Sequence, residues 1–217
     1  MKSPDNFVIH CDNHILVAVK PPNIPSQADA SKDSDMLSLM KAYVKERFGK
    51  PGEAYLGLLH RLDRPVGGLM VFARTSKAAA RLSMQFRERA VDKVYWAAVE
   101  GDAADERTVT DTIWHVGKPK EASLQYRCME KQNGLSLLCI RLYTGRKHQI
   151  RIQLANEKLP IWGDARYGNG KSGMQIALFA AGISFAHPTT GQRLSFFRKP
   201  PSVSPWILFD AYRDRRE

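Results

Sequence analysis

The chain has 217 residues, with 33 Lys and Arg against 22 Asp and Glu, giving a formal net charge of +11. Such a balance favours association with polyanions and carries no information about fold, while a hydrophobic share of 43% excludes a solvated basic tail and leaves enough apolar surface for a core. No apolar run approaches the ~20 residues that cross a bilayer, and the stretch from Met1 to Asp12 is too short and interrupted for a signal peptide.

Three cysteines, Cys11, Cys128 and Cys139, stand apart without metal-ligand spacing. An odd number with no CxxC pair reads as reduced thiols and predicts a cytoplasmic protein.

In chain order, residues 15–19 form a short buried strand that stops at Lys20-Pro21-Pro22, since proline cannot donate to a ladder. Residues 23–33 read as a loop. From Met36 to Phe48 the apolar residues Met36, Leu39, Met40, Tyr43, Val44 and Phe48 recur at helical spacing, with Ser34 or Asp35 to cap the start and Gly49 to end it. A largely apolar run from Gly67 to Arg74 predicts a strand. A second helix opens at Thr75 or Ser76 and reaches Arg89, with Ala79, Leu82 and Phe86 inward and Lys77, Arg81, Arg87 and Arg89 toward solvent.

Residues 94–99, 135–142, 176–179, 183–185 and 194–197 all predict strands. Gln132-Asn133-Gly134 is a hairpin turn joining residues 125–129 to 135–142. Ile150, Ile152 and Leu154 alternate, which by itself suggests a strand. Strands with a few helices and no regular βαβ rhythm predict an α+β fold with a mainly antiparallel or mixed sheet flanked by helices.

One segment carries chemistry. In His60-Arg61-Leu62-Asp63-Arg64 a carboxylate sits between guanidinium groups, whose charge favours its ionised form. That suits a nucleophile or base working beside a polyanion, although a structural ion pair would look the same in isolation. Further blocks follow it: Lys93-Val94-Tyr95-Trp96, Thr144-Gly145-Arg146-Lys147-His148-Gln149-Ile150-Arg151, Pro160-Ile161-Trp162-Gly163-Asp164 and Arg166-Tyr167-Gly168.

In order and spacing these blocks resemble the RluA-type family of RNA pseudouridine synthases, from about Asn13 to about Phe197. The resemblance implies the pseudouridine synthase fold, with a helix that starts at Thr144-Gly145 and ends before Pro160. It implies a single catalytic domain over the whole chain, with no room for the small RNA-binding domain that precedes it in many relatives. The implied activity is isomerisation of uridine to pseudouridine in structured RNA, ribosomal or transfer RNA, by a monomer. The reaction imports no group and changes no oxidation state, so no cofactor or metal is expected; the chain shows neither a phosphate-cradling glycine loop nor zinc spacing.

By the same resemblance Asp63 is the essential carboxylate, acting as nucleophile on C1′ or as base. Tyr95 stacks on the flipped uracil, and Arg151 forms a bidentate pair with Asp63 that orients it. Arg61 sits at the pocket mouth, and His60 organises the motif loop. Arg64, Arg146, Lys147 and His148 complete the RNA-binding set, because phosphate contacts position a nucleic acid without reading its sequence. Three departures stand out. Pro65-Val66-Gly67-Gly68 replaces a Thr-Ser-Gly, Gln153 replaces a histidine, and Phe179 replaces another. A protein of the same fold that binds or folds RNA with little catalysis is the alternative; retention of Asp63, Tyr95 and Arg151 favours the enzyme over it, and over a generic basic enzyme on another anion.

Overall fold

The computed structural model describes residues 4–49, 51–115 and 117–214. The chain forms two compact units, one of residues 4–91 with 184–196 and the other of residues 92–183 with 197–214.

The first unit opens with β1 (Val8–Cys11) antiparallel to β2 (Ile15–Lys20). Helix α1 (Met36–Arg47) follows, capped by Asp35, whose carboxylate accepts from the Ser38 amide. Met36, Met40, Tyr43 and Val44 supply its buried stripe, whereas Phe48 is exposed and lies beneath the Arg74 guanidinium at 3.8 Å. Strands β3 (Gly57–Leu58) and β4 (Gly67–Ala73) come next, with β4 antiparallel to both β2 and β3. All seven β4 residues are buried, as befits a central strand covered on both faces. Helix α2 (Ser76–Arg87) is capped by Thr75 and buries Ala78 and Leu82. It stops short of Arg89, which takes a left-handed φ of 59°. Arg81 does not reach for solvent; its guanidinium donates to the Pro188 carbonyl at 2.6 Å.

The second unit is built on β5 (Asp92–Glu100), β6 (Glu106–His115), β7 (Lys118–Gln132) and β8 (Leu135–Leu142). Antiparallel ladders join β5 to β8, β8 to β7, and β7 to β6. The β7–β8 turn is the Asn133-Gly134 pair, both residues at positive φ (53° and 73°), the geometry that makes Asn-Gly the favoured hairpin turn. Strand β6 carries no label in the sequence reading, yet it forms with β7 the longest ladder in the unit. Helix α3 (Gln149–Asn156) starts later than the resemblance implies: its cap is His148, and residues 144–148 lie outside it. It does end before Pro160, and the strand suggested by Ile150, Ile152 and Leu154 is not formed.

Strand β9 (Leu178–Ala186) merges two segments that the sequence separates, and β10 (Arg193–Phe197) pairs with it. A short helix α4 (Asp210–Asp214) closes the described chain, its first amides capped by Glu130.

Candidate active site

The Asp63 loop is clamped through its neighbours, all within the first unit. On one side, the Ser26 hydroxyl accepts from the Leu62 amide at 3.0 Å and donates to the Leu62 carbonyl at 2.8 Å. On the other, the Arg64 carbonyl accepts from the Asn23 amide at 2.8 Å and from the Lys20 ammonium at 3.0 Å. A turn follows, in which the Val66 amide donates to the Asp63 carbonyl at 3.0 Å. The peptide units flanking Asp63 are thereby fixed, and its half-buried side chain projects from a backbone with little freedom. Such preorganisation is what positioning for reaction requires.

Lys20 is fully buried at the end of β2. Its three N–H groups reach the carbonyls of Pro21, Ile24 and Arg64 at 3.0, 2.7 and 3.0 Å, which uses the full donor capacity of an ammonium. Burial, opposed by Asp63 and reinforced by Arg64, lowers its pKa to about 7.

The remaining motif residues divide between anchoring and exposure. His60 accepts the Val71 amide at Nε2 (3.0 Å) and stacks on Phe86 with centroids 5.0 Å apart. The Arg64 guanidinium turns onto the 29–33 loop, donating to Ser31 and pairing with Asp33 and Asp29. Arg61 is exposed. Of the departures from the family pattern, Val66 is buried in the turn that follows Asp63, and Phe179 is buried in β9.

In the second unit, Tyr95 lies on β5 opposite Ile140 and is 9% exposed. Its neighbour Trp96 is fully buried against Phe197, because successive strand side chains face opposite sides.

Arg151 projects from the first turn of α3. Its Nε and Nη2 donate to Oδ2 and Oδ1 of Asp164, each at 2.8 Å, a bidentate pair of the kind that fixes a guanidinium in its plane. The fork that the resemblance draws between Arg151 and Asp63 is thus, on the Nε–Nη2 edge, made with Asp164. Burial pushes the Asp164 pKa up, but the Arg151 hydrogen bonds and the amides of Arg166 and Tyr167 outweigh it and hold it below the usual aspartate range. The Arg151 guanidinium also sits 5.1 Å from the Tyr167 ring centre. The Tyr167 hydroxyl meets His148 Nδ1 at 2.9 Å. His148 itself caps α3 from the left-handed region, at φ 56°.

Behind α3 lies a buried amide network. Gln149 accepts from the Thr144 hydroxyl and the Arg146 amide and donates to Ser123 and Gln153. Gln153, at the position where relatives have histidine, directs its amide nitrogen to the carbonyls of Val109 and Ala122 and to Asp111. This links helix α3 to the β6–β7 hairpin. Arg146 adds a further link, from Nε to the Glu121 carbonyl at 2.9 Å, and Lys147 is exposed. Among the described residues no group of His, Cys, Asp or Glu is arranged to hold a metal ion.

Asp164, Lys20 and Ser26 were not singled out as site residues in the sequence. Asp164 offered a signal, being the sole acid in Pro160-Ile161-Trp162-Gly163-Asp164. Lys20 offered a weaker one, a lysine ending an otherwise apolar strand.

The sequence profile described as RNA pseudouridylate synthase matches residues 14–156. Among curated relatives, Ribosomal large subunit pseudouridine synthase D of Zymomonas mobilis is 29% identical, the alignment covering 89% of this chain and 69% of that protein. Dual-specificity RNA pseudouridine synthase RluA of Vibrio vulnificus is 31% identical, covering 89% of this chain and 83% of its own. In fold, the chain is similar to Human RNA Pseudouridylate Synthase Domain Containing 4, with a TM-score of 0.79 at 22% identity over 97% of this chain and 93% of that one. With the profile spanning well over half of its length, the chain belongs to the RluA-type family of RNA pseudouridine synthases.

Proposed function

We propose that this chain isomerises uridine to pseudouridine in structured ribosomal or transfer RNA, with Asp63 as the catalytic carboxylate. The observation that carries this is the clamp on both peptide neighbours of Asp63, made by Ser26 on Leu62 and by Asn23 and Lys20 on Arg64. A carboxylate carried on a backbone held that firmly is suited to chemistry at one atom of an extruded nucleotide.

The target uridine leaves its stack, at a cost of a few kcal/mol that is least in loops and bulges. Asp63 then acts at the ribose, as nucleophile on C1′ or as base. The N1–C1′ bond breaks, the uracil turns, and C5 bonds to C1′; the C5 proton departs and N1 gains one, so the reaction balances without a cofactor. Tyr95 provides the aromatic surface for the uracil. Arg151, held rigid by Asp164 and Tyr167, has the role of orienting the catalytic carboxylate that the family resemblance gives it. Exposed Arg61 and Lys147 meet phosphates. Arg146 and His148 shape that surface through Glu121 and Tyr167, and His60 and Arg64 act through the loop they anchor. The same reading is of a monomer in the cytoplasm, consistent with Cys11, Cys128 and Cys139 forming no disulfide.

The test is turnover of RNA transcripts labelled with tritium at uridine C5, with no cofactor added. Pseudouridine formation releases the label to water. Wild-type protein is expected to release it, and Asp63→Ala and Asp63→Asn to release none. Full release by Asp63→Ala would refute the role given to that residue.

A further inference from the structure

Among the described residues the most exposed large hydrophobic side chain is Trp114, 71% accessible on β6 near the tip of the β6–β7 hairpin. No other described large apolar residue exceeds the 49% of Val203. A ring of that size, apolar in body with a polar N–H, is a feature that binding surfaces use.

Its surroundings indicate the partner. Trp114 lies opposite Pro119, and Ile113 opposite Lys120, so strand alternation puts Trp114 on one face of the ribbon and Lys118 and Lys120 on the other. Both lysines are exposed, and no acidic side chain stands between residues 112 and 120. The tip is therefore a wedge, aromatic on one side and cationic on the other, on a chain of net charge +11. It is also tied to the site: Gln153 of α3 bonds the hairpin at Val109, Asp111 and Ala122. Trp114 follows Asp111 by three residues, about 10 Å of strand. Whatever the tip grips is held at a defined distance from the helix that carries Arg151.

We propose that the β6–β7 tip is an RNA-gripping arm, in which Trp114 stacks on an unpaired base flanking the target uridine while Lys118 and Lys120 neutralise the phosphates of the strand bending around the tip. This pairing of a π-face with cations is how single-stranded nucleic acid is bound without sequence readout. It gives the enzyme a second hold on its substrate, outside the pocket for the reacting nucleotide. The inference rests on the synthase reading, and the experiment separates the two.

Unmodified transcripts of large-subunit ribosomal RNA and transfer RNA serve as probes, with affinity and turnover measured in parallel. Trp114→Ala is expected to weaken affinity and raise KM by ~10-fold or more, within the range of one lost base stack, while kcat stays within about two-fold. Trp114→Phe restores most of the affinity, since a smaller ring still stacks. The Lys118→Ala/Lys120→Ala pair weakens binding and lowers the slope of log affinity against log salt by ~1.4, for two contacts at ~0.7 each. All three positions are exposed, so thermal midpoints should match wild type. Unchanged affinity and KM in Trp114→Ala overturn the arm. So does unchanged RNA affinity combined with loss of self-association in light scattering, which would make the tip a protein contact. Absence of turnover in every protein, wild type included, refutes the synthase reading alone, because RNA affinity still reports on the arm.

Discussion

The Lys20 ammonium donates to the Arg64 carbonyl at 3.0 Å across 44 positions of sequence, and so ties the end of β2 to the peptide that follows Asp63. The lysine stands where a strand residue would ordinarily be apolar, and the loop beneath it turns three carbonyls inward to meet it. Lysine and loop conformation are matched here in a way that fixes the backbone beside Asp63.

Lys20→Met keeps the stem and removes the donors. The Pro21 and Ile24 carbonyls lose their partner, each at a cost of about 1–3 kcal/mol when buried, partly offset because the buried charge is gone. The folded pKa of about 7 lies below the unfolded 10.5, so between those values the unfolded chain binds one more proton and stability rises with pH, by up to ~1.4 kcal/mol per unit. Below pH 7 both states carry the proton and the contribution is flat. Urea titrations at pH 6, 7, 8 and 9 should show wild type gaining on Lys20→Met above pH 7. A gap independent of pH would mean that the lysine titrates normally. Turnover by the variant should fall by up to ~10²-fold, the scale of a 1 Å displacement at a reacting group.

Ser26→Ala tests the other side of the clamp. One hydroxyl both accepts from and donates to Leu62, so its loss leaves a buried amide and a carbonyl unserved, worth about 1–3 kcal/mol. We expect a lower melting temperature and a lower kcat with KM for RNA nearly unchanged, since Ser26 is buried and meets no substrate. A variant that loses stability but keeps full kcat would show that Asp63 needs no support from this side.

Part of this arrangement was legible beforehand. The strands flanking the motif are apolar runs bounded by proline and glycine, and the β7–β8 hairpin is announced by Asn133-Gly134. The motif blocks named Asp63, Tyr95 and Arg151. Helix α3 was misread locally because Gln149, Ile150, Arg151, Gln153 and Leu154 are all buried. A helix covered on several faces loses its 3.6-residue signal, leaving the alternation of Ile150, Ile152 and Leu154 to mislead. Strand β6 was missed because only Val109 and Ile113 of its residues are buried apolar ones. Its run of Thr108, Thr110 and Thr112 was the available clue. The Arg151–Asp164 fork lies beyond local pattern, since charge alone does not tell which of many acids meets a given arginine.

Asp164→Asn addresses that fork directly. The pair is buried, with the Asp164 side chain 1% exposed, and neutralising it takes the bidentate carboxylate from a buried guanidinium, at about 3–5 kcal/mol. Since the folded pKa of Asp164 is depressed below the unfolded 3.8, the carboxylate stabilises the fold above about pH 4 and that stability is lost as pH falls through the folded pKa. Guanidinium titrations at pH 7, 4 and 3 should show the gap between wild type and Asp164→Asn narrowing with acid. A constant gap would show that the carboxylate's charge is not what Arg151 requires.

The loop that delivers Asp164 turns on Gly163. Gly163 has φ +77°, and a Cβ there would lie 2.4 Å from the Gln175 carbonyl oxygen. Gly173 has a similar φ of +89° but faces open space. Both substitutions to alanine carry the left-handed backbone cost of ~1–2 kcal/mol, while Gly163→Ala must also push backbone aside, and the Asp164 carboxylate moves with it. We expect Gly173→Ala to lose about 1 kcal/mol with activity intact. Gly163→Ala should lose clearly more, and its kcat should fall as the Asp164–Arg151 fork shifts. Chemical denaturation and tritium release on the two variants decide it: equal losses would mean the loop yields to the methyl group, and that the close packing against Gln175 does not set the position of the Arg151 partner.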